Sequence, residues 1–287
     1  MIELPATEHL VTDLEGDWLT VWFNRPEARN ALSSELASEL RLVLEAVRDD
    51  RSVRGITLRG KGGVFCAGGD IKGFKAVFQG GGGEDGEQQS IDDIAEASRA
   101  TGELFGLIDQ MPQVVVMLVE GTAMAGGLGI VCRGDVVVVT EDEKVALTET
   151  TLGIPPAQIA PFVVQRLGLK VARRLMLTAA RFDGREAERL GVADFVVGDA
   201  AALDEAEAGI RTQVRRCAPG ANAVTKEIVL ATQRLDRERM IDMAAHGFAE
   251  CMLSDEGREG VLAFIEKRKP SWAEPTEPTG PADPKAS

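Results

Sequence analysis

The 287-residue chain has no tyrosine and only two histidines, His9 and His246. Neither histidine sits in a recognisable nucleophile motif, so a Ser-His-Asp triad has little to be built from. A lone histidine is more often structural than catalytic. The four cysteines, Cys66, Cys132, Cys217 and Cys251, are scattered without any Cys-Xaa-Xaa-Cys pair. Reduced thiols in a cytoplasmic protein are the expected reading, with a disulfide left open. No cluster has metal-ligand spacing, so no metal is expected. Positive charge is in deficit, with 32 Lys and Arg against 46 Asp and Glu and a net charge of -14. That balance argues against nucleic acid or an anionic membrane as the main partner. No apolar run approaches the roughly 18 to 20 residues of a membrane span. The N-terminal residues lack both a basic start and a secretory apolar core, and a cytoplasmic location is expected.

What is present is an ordinary globular composition, 44% hydrophobic and 27% charged, in a chain long enough for one large domain or two small ones. The first half alternates strand and helix. Residues 18–23 alternate and are β-rich. Residues 33–47 place Leu36, Leu40, Val43, Leu44 and Val47 at helical spacing. Residues 55–58 form a short buried strand, and 114–119 and 136–139 are continuous apolar strands of the kind covered on both faces of a sheet. The pattern is α/β. From about Gln158 the chain is mostly helical. Asp183-Gly184-Arg185-Glu186 has the spacing of a capping box. Residues 255–269 form an amphipathic last helix with Val261, Leu262, Phe264 and Ile265 on its apolar side. The polar, glycine-rich stretch 79–89 is either a surface loop or a mobile cover over a pocket. Residues 270–287, with five prolines, are expected to be a disordered tail.

Two glycine turns follow strands: Phe65-Cys66-Ala67-Gly68-Gly69-Asp70 and Gly121-Thr122-Ala123-Met124-Ala125-Gly126-Gly127-Leu128-Gly129. Ligands in such folds bind beyond the carboxyl ends of strands. Without a Cβ, a backbone N–H can approach a ligand closely, and a helix opening in such a turn aims unpaired N–H groups at an anion. Taken singly, each cluster is as readily a structural turn. Neither matches a dinucleotide fingerprint, and Gly60-Lys61-Gly62 lacks the Ser or Thr of a P-loop. Two turns with Glu149 downstream, in Leu147-Thr148-Glu149-Thr150-Thr151-Leu152-Gly153, suggest two amides on one oxyanion and a carboxylate to move a proton. Such a site stabilises an enolate made from a thioester.

The combination resembles the crotonase, or enoyl-CoA hydratase/isomerase, family. The matching blocks run nearly end to end: Asn24-Arg25-Pro26-Glu27-Ala28-Arg29-Asn30-Ala31-Leu32, the two glycine turns, Thr148-Glu149-Thr150-Thr151-Leu152-Gly153-Ile154-Pro155, Gln165-Arg166-Leu167-Gly168, residues 181–187 and residues 259–268. The resemblance implies a ClpP-like fold of repeated ββα units over residues 1–197. A helical trimerisation region then covers 198–269, with the tail at 270–287. It implies that Gly69 and Gly126 supply the oxyanion amides, that Asp70 shapes the first turn, and that Glu149 is the catalytic carboxylate. Arg29, Ala67, Asp70, Lys72, Phe264 and Lys267 match positions that bind CoA, the last two often across a subunit boundary. CoA enters as part of the acyl-CoA substrate, with no separate cofactor, and the expected assembly is a homotrimer or a dimer of trimers.

Family hydratases carry a further glutamate three residues after the second oxyanion glycine; here that position is Gly129. Thioester hydrolases and dienoyl isomerases of the family carry an aspartate where this chain has Ala157, which disfavours both. Residues 155–162 resemble branched glutaconyl-CoA hydratases of acyclic terpenoid breakdown. The expected activity is hydration of a 2-enoyl-CoA. The alternatives are a Δ3,Δ2-enoyl-CoA isomerase using one glutamate, and, from another class, a non-catalytic CoA- or RNA-binding homologue.

Overall fold

The structure, a computed structural model, describes residues 2–70 and 90–273. Strand propensity and apolar runs build the central layer. In chain order the strands are β1 (Leu10–Glu15), β2 (Trp18–Phe23), β3 (Gly55–Gly60), β4 (Val114–Val119), β5 (Thr122–Met124), β6 (Val136–Thr140), β7 (Lys144–Ala146), β8 (Arg181–Phe182) and β9 (Phe195–Val197). Six of them form a sheet in the order β1-β2-β3-β4-β6-β9, with β1 antiparallel to β2 and every other pairing parallel. A second, three-stranded sheet has the order β5-β7-β8.

The continuous apolar strands are explained by two cores, one on each face of the large sheet. Val115, Met117 and Val119 of β4 point to the larger core, while Val116 and Leu118 point to the smaller one around Trp18. The larger core takes helix α1 (Ser34–Val47), which buries the five apolar residues its spacing marks out and is capped by the Ser33 hydroxyl accepting from the Leu36 N–H. Helix α2 (Ile91–Asp109) opens with a capping box made by Ser90 and Asp93 and buries Leu104, Phe105, Leu107 and Ile108. Helices α3 (Gly126–Val131) and α4 (Ala160–Thr178) follow. Helix α5 (Gly184–Leu190) opens where Asp183 predicts, with the Asp183 carboxylate accepting from the Glu186 N–H.

Helix α6 (Ala200–Arg215) covers the opposite face with Leu203, Ile210 and Val214. The last three long helices, α7 (Pro219–Ala231), α8 (Arg237–Leu253) and α9 (Asp255–Glu266), pack on one another and bury little of themselves. Helix α9 stops at Glu266, three residues short of the expected end. Lys267 turns left-handed at φ 56° and its N–H closes the helix on the Ala263 and Phe264 carbonyls. Phe264 is 86% exposed in the single chain, and Val261, Leu262 and Ile265 are exposed with it. After α9, residues 271–273 make a turn docked through the Trp272 indole N–H on the Arg216 carbonyl. The glycine-rich stretch 79–89, and the tail from 274, lie outside the described residues. Among the described residues no helix is long and apolar enough to cross a membrane.

Candidate active site

The second glycine turn is built by β5 and β7. Their parallel register pairs Thr122 with Lys144 and Met124 with Ala146. The next residue, Ala125, sits at φ 48° and ψ -119°, and its N–H donates to the Ala146 carbonyl at 2.8 Å. A non-glycine residue in this region is strained, and such strain concentrates at ligand-binding turns. The reversal at Ala125 opens α3 at Gly126, whose N–H belongs to the first turn of a helix and has no acceptor within it.

The first turn lies alongside. The Cys66 N–H donates to the Thr122 carbonyl and the Met124 N–H to the Cys66 carbonyl, both at 3.0 Å. On its other edge the turn is laced to residues 29–32. The Ala67 N–H donates to the Arg29 carbonyl, the Leu32 N–H to Gly68 and the Asp70 N–H to Leu32. Gly68 has φ 103°, and a methyl group there would lie 3.0 Å from the Ala125 Cβ, so the two turns touch through a position that only glycine fills comfortably. Among the described residues the Gly69 and Gly126 N–H groups have no hydrogen-bond acceptor. A Cβ built on Gly126 would stand 3.7 Å from the Gly69 nitrogen, which places the two donors side by side.

Glu149 follows β7 by three residues and opens a 3-10 turn (Glu149–Leu152) that Gly153 closes at φ 77°. The turn is pinned by the Thr150 hydroxyl donating to the Met176 carbonyl and the Thr151 hydroxyl donating to Thr148. Glu149 is 8% exposed, and among the described residues neither carboxylate oxygen is within hydrogen-bonding geometry of a partner. Burial raises its pKa, opposed in part by the backbone dipoles of Glu149 and Thr148. A buried carboxylate held without partners is suited to taking and returning a proton.

Gly129, where the family resemblance expects a second glutamate, is closely packed, and a side chain there would need its neighbours to give by a few tenths of an ångström. A Cβ there would lie 3.0 Å from Ile159 Cγ1, 3.2 Å from its Cγ2 and 3.3 Å from Phe105 Cε2. The space is taken by apolar side chains from α2 and from the residue preceding α4.

The remaining candidates divide. Arg29 is exposed, with Nη2 3.3 Å from the Thr122 hydroxyl, and its carbonyl holds the Ala67 N–H; both residues therefore border the first turn. Asp70 pairs with Arg25 at 3.2 Å. Lys72 lies outside the described residues. Phe264 and Lys267 lie at the end of α9, which packs on α7 and α8, and no hydrogen bond or ion pair among the described residues links them to the glycine turns. Sequence reasoning missed Arg25, Phe105 and Ile159 as neighbours of the site. Arg25 lay inside the quoted Asn-Arg-Pro block, but nothing in the sequence marks Phe105 or Ile159 as facing Gly129.

The family model described as enoyl-CoA hydratase/isomerase matches residues 16–275. A carnitinyl-CoA dehydratase of Proteus mirabilis is 31% identical over 270 residues, covering 92% of this chain and 97% of its own. Among solved structures, Pseudomonas aeruginosa AtuE is 48% identical with a TM-score of 0.88, covering 93% of this chain and all of its own. An enoyl-CoA hydratase/isomerase from Marinobacter aquaeolei is 38% identical with a TM-score of 0.86, covering 93% of this chain and 99% of its own.

Proposed function

The chain belongs to the enoyl-CoA hydratase/isomerase family, and we propose that it adds water to a 2-enoyl-CoA through a thioester enolate. One observation supports the reading: Gly69 and Gly126, two backbone donors without an acceptor among the described residues, lie close together in a site whose proposed proton carrier is Glu149, buried and without a hydrogen-bond partner among those residues. The thioester oxygen accepts from both amides. Water bonds to Cβ while Glu149 takes its proton, and the electron pair of the double bond moves onto the thioester oxygen. Glu149 then returns that proton to Cα as the enolate collapses, so one water is added and the carboxylate is restored. Each donor of this kind contributes about 3 kcal/mol to the transition state. The family relative named as a carnitinyl-CoA dehydratase supports chemistry of this class, since dehydration is the same path reversed.

The CoA moiety needs local cations on an acidic protein. Arg29, which borders the first turn, is proposed for this role on family resemblance, as are Lys72, Phe264 and Lys267. The apolar wall at Gly129 favours a second reading, a Δ3,Δ2-enoyl-CoA isomerase in which Glu149 moves a proton from Cα to Cγ. A non-catalytic CoA- or RNA-binding homologue is disfavoured by the partner-free Glu149 and by the net charge of -14.

The test is a panel of 2-enoyl-, 3-enoyl- and branched glutaconyl-CoA thioesters with products read by mass. A gain of one water identifies the hydratase. Unchanged mass with a shifted double bond identifies the isomerase. Tight CoA thioester binding with no product overturns both in favour of a binding protein.

A further inference from the structure

We propose that Asn30 is a positioning residue that sets the Gly69 N–H for the thioester oxygen; this rests on the acyl-CoA reading above. Asn30 is fully buried. Its carboxamide Oδ1 accepts from the Arg25 N–H at 2.8 Å, and its Nδ2 donates to the Lys61 carbonyl at 2.9 Å and to the Val64 carbonyl at 2.6 Å. One side chain thus ties the turn at residues 25–32 to the loop at 61–64, which leads directly into the first glycine turn.

The consequence falls on Gly69. With the 25–32 turn held, residues 29–32 present their backbone to residues 67–70 as a short parallel ladder, in which Leu32 bridges Gly69. The ladder uses the N–H groups of Ala67, Leu32 and Asp70, and it leaves that of Gly69 free to point away from residue 32. On the far edge, Phe65 donates to the Glu120 carbonyl and Cys66 to Thr122. The orientation of the Gly69 donor is therefore set by two flanking backbones, and Asn30 locks one of them.

Few residues could do this. Asn30 has φ 53° and follows Arg29, also at φ 53°. Asparagine tolerates the left-handed region better than most side chains and carries two donors with one acceptor. Aspartate has the same outline but would face two carbonyl oxygens with lone pairs. Arg25 reinforces the arrangement, its guanidinium reaching both the Ala31 carbonyl and Asp70, the residue after Gly69.

The test uses the full-length protein and a non-reacting saturated thioester, butyryl-CoA carrying a 13C carbonyl, read by isotope-edited infrared spectroscopy. On binding to the wild type, the carbonyl band shifts to lower wavenumber as two amides polarise it. In Asn30→Asp most of that shift is lost and turnover falls about 100-fold, while thioester affinity stays within about threefold. Asn30→Gly keeps the left-handed backbone without strain and removes the carboxamide together with its methylene, so it carries the test if the aspartate variant fails to fold; it loses shift and turnover in the same way. A lower melting temperature with full carbonyl shift and full turnover would overturn the role and leave Asn30 merely structural. Absence of binding or of any shift in the wild type would instead sink the acyl-CoA reading itself.

Discussion

At Glu149 the proposed chemistry depends on a single side chain. Glu149→Gln keeps its shape and removes the proton carrier, so turnover should fall on the order of 100-fold or more, with CoA thioester affinity nearly unchanged. Titration calorimetry against steady-state rates separates the two effects. Because burial raises the Glu149 pKa, the base form is lost at a higher pH than for an ordinary carboxylate. The acid limb of kcat should therefore lie above the usual glutamate value of 4.5 and vanish with the glutamine variant. A profile flat down to pH 5 would show that the Glu149 pKa is not raised in turnover.

Glu143, the residue before β7, is among the described residues the other buried carboxylate with neither oxygen hydrogen-bonded. Burial, with Asp142 and Glu120 nearby, pushes its pKa well above 4.5. The folded state then binds more protons than the unfolded one, so this group's contribution to stability is whole below pH 4.5 and declines as pH rises toward its folded pKa. Glu143→Met, which removes the unpartnered group at similar volume, should stabilise by about 1–3 kcal/mol at neutral pH. The gain should shrink toward pH 4.5, and denaturant melts across that range would read it. A variant less stable than wild type at pH 8 would mean that the carboxylate has a partner in the assembled protein.

At the scale of elements, Ala125 is where strain and function meet. Ala125→Gly relieves a conformation that costs of order 1–3 kcal/mol but loosens the reversal that presents Gly126. Stability should hold despite the added chain entropy, while kcat drops several-fold through poorer donor alignment; thermal melts and rates on one preparation decide it. The elements themselves were legible to different degrees. Strands β2, β4 and β6 and helix α1 could be read because apolar periodicity and burial coincide there. Strand β1 was missed because it is an edge strand that buries only Leu10. Strands β5 and β7 are three residues long, too short for any period to register, although they carry the second turn. Gly69, Gly126 and Glu149 were singled out by motif resemblance, whereas the positive φ at Ala125 carried no sequence signal. Ala125 is held there with its N–H on the Ala146 carbonyl, twenty-one residues away in the chain.

For the whole molecule the decisive fact is the dry face that α7, α8 and α9 fail to bury. Phe248 and Leu253 are about as exposed as Ile265, and Phe264 more so. Apolar exposure on this scale marks an interaction surface, in keeping with the proposed trimer. The expected mass in solution is about three times 30.7 kDa. Phe248→Asp with Phe264→Asp should shift the protein toward monomers in light scattering and reduce turnover. A monomeric wild type with full activity would remove both the assembly and the cross-subunit role of Phe264 and Lys267.

The packing of Ile159 and Phe105 against Gly129 also bears on the history open to this protein. A glutamate introduced at Gly129 needs Ile159 or Phe105 to give by a few tenths of an ångström, and overpacking of a core costs typically about 1–3 kcal/mol. Trimming Ile159 first opens a void that costs a comparable amount. Either order crosses a valley of lowered stability before any benefit of a second carboxylate is felt. The residues at 129 and 159 are therefore energetically coupled, and a second carboxylate at 129 is expected to be tolerated best alongside a smaller side chain at 159.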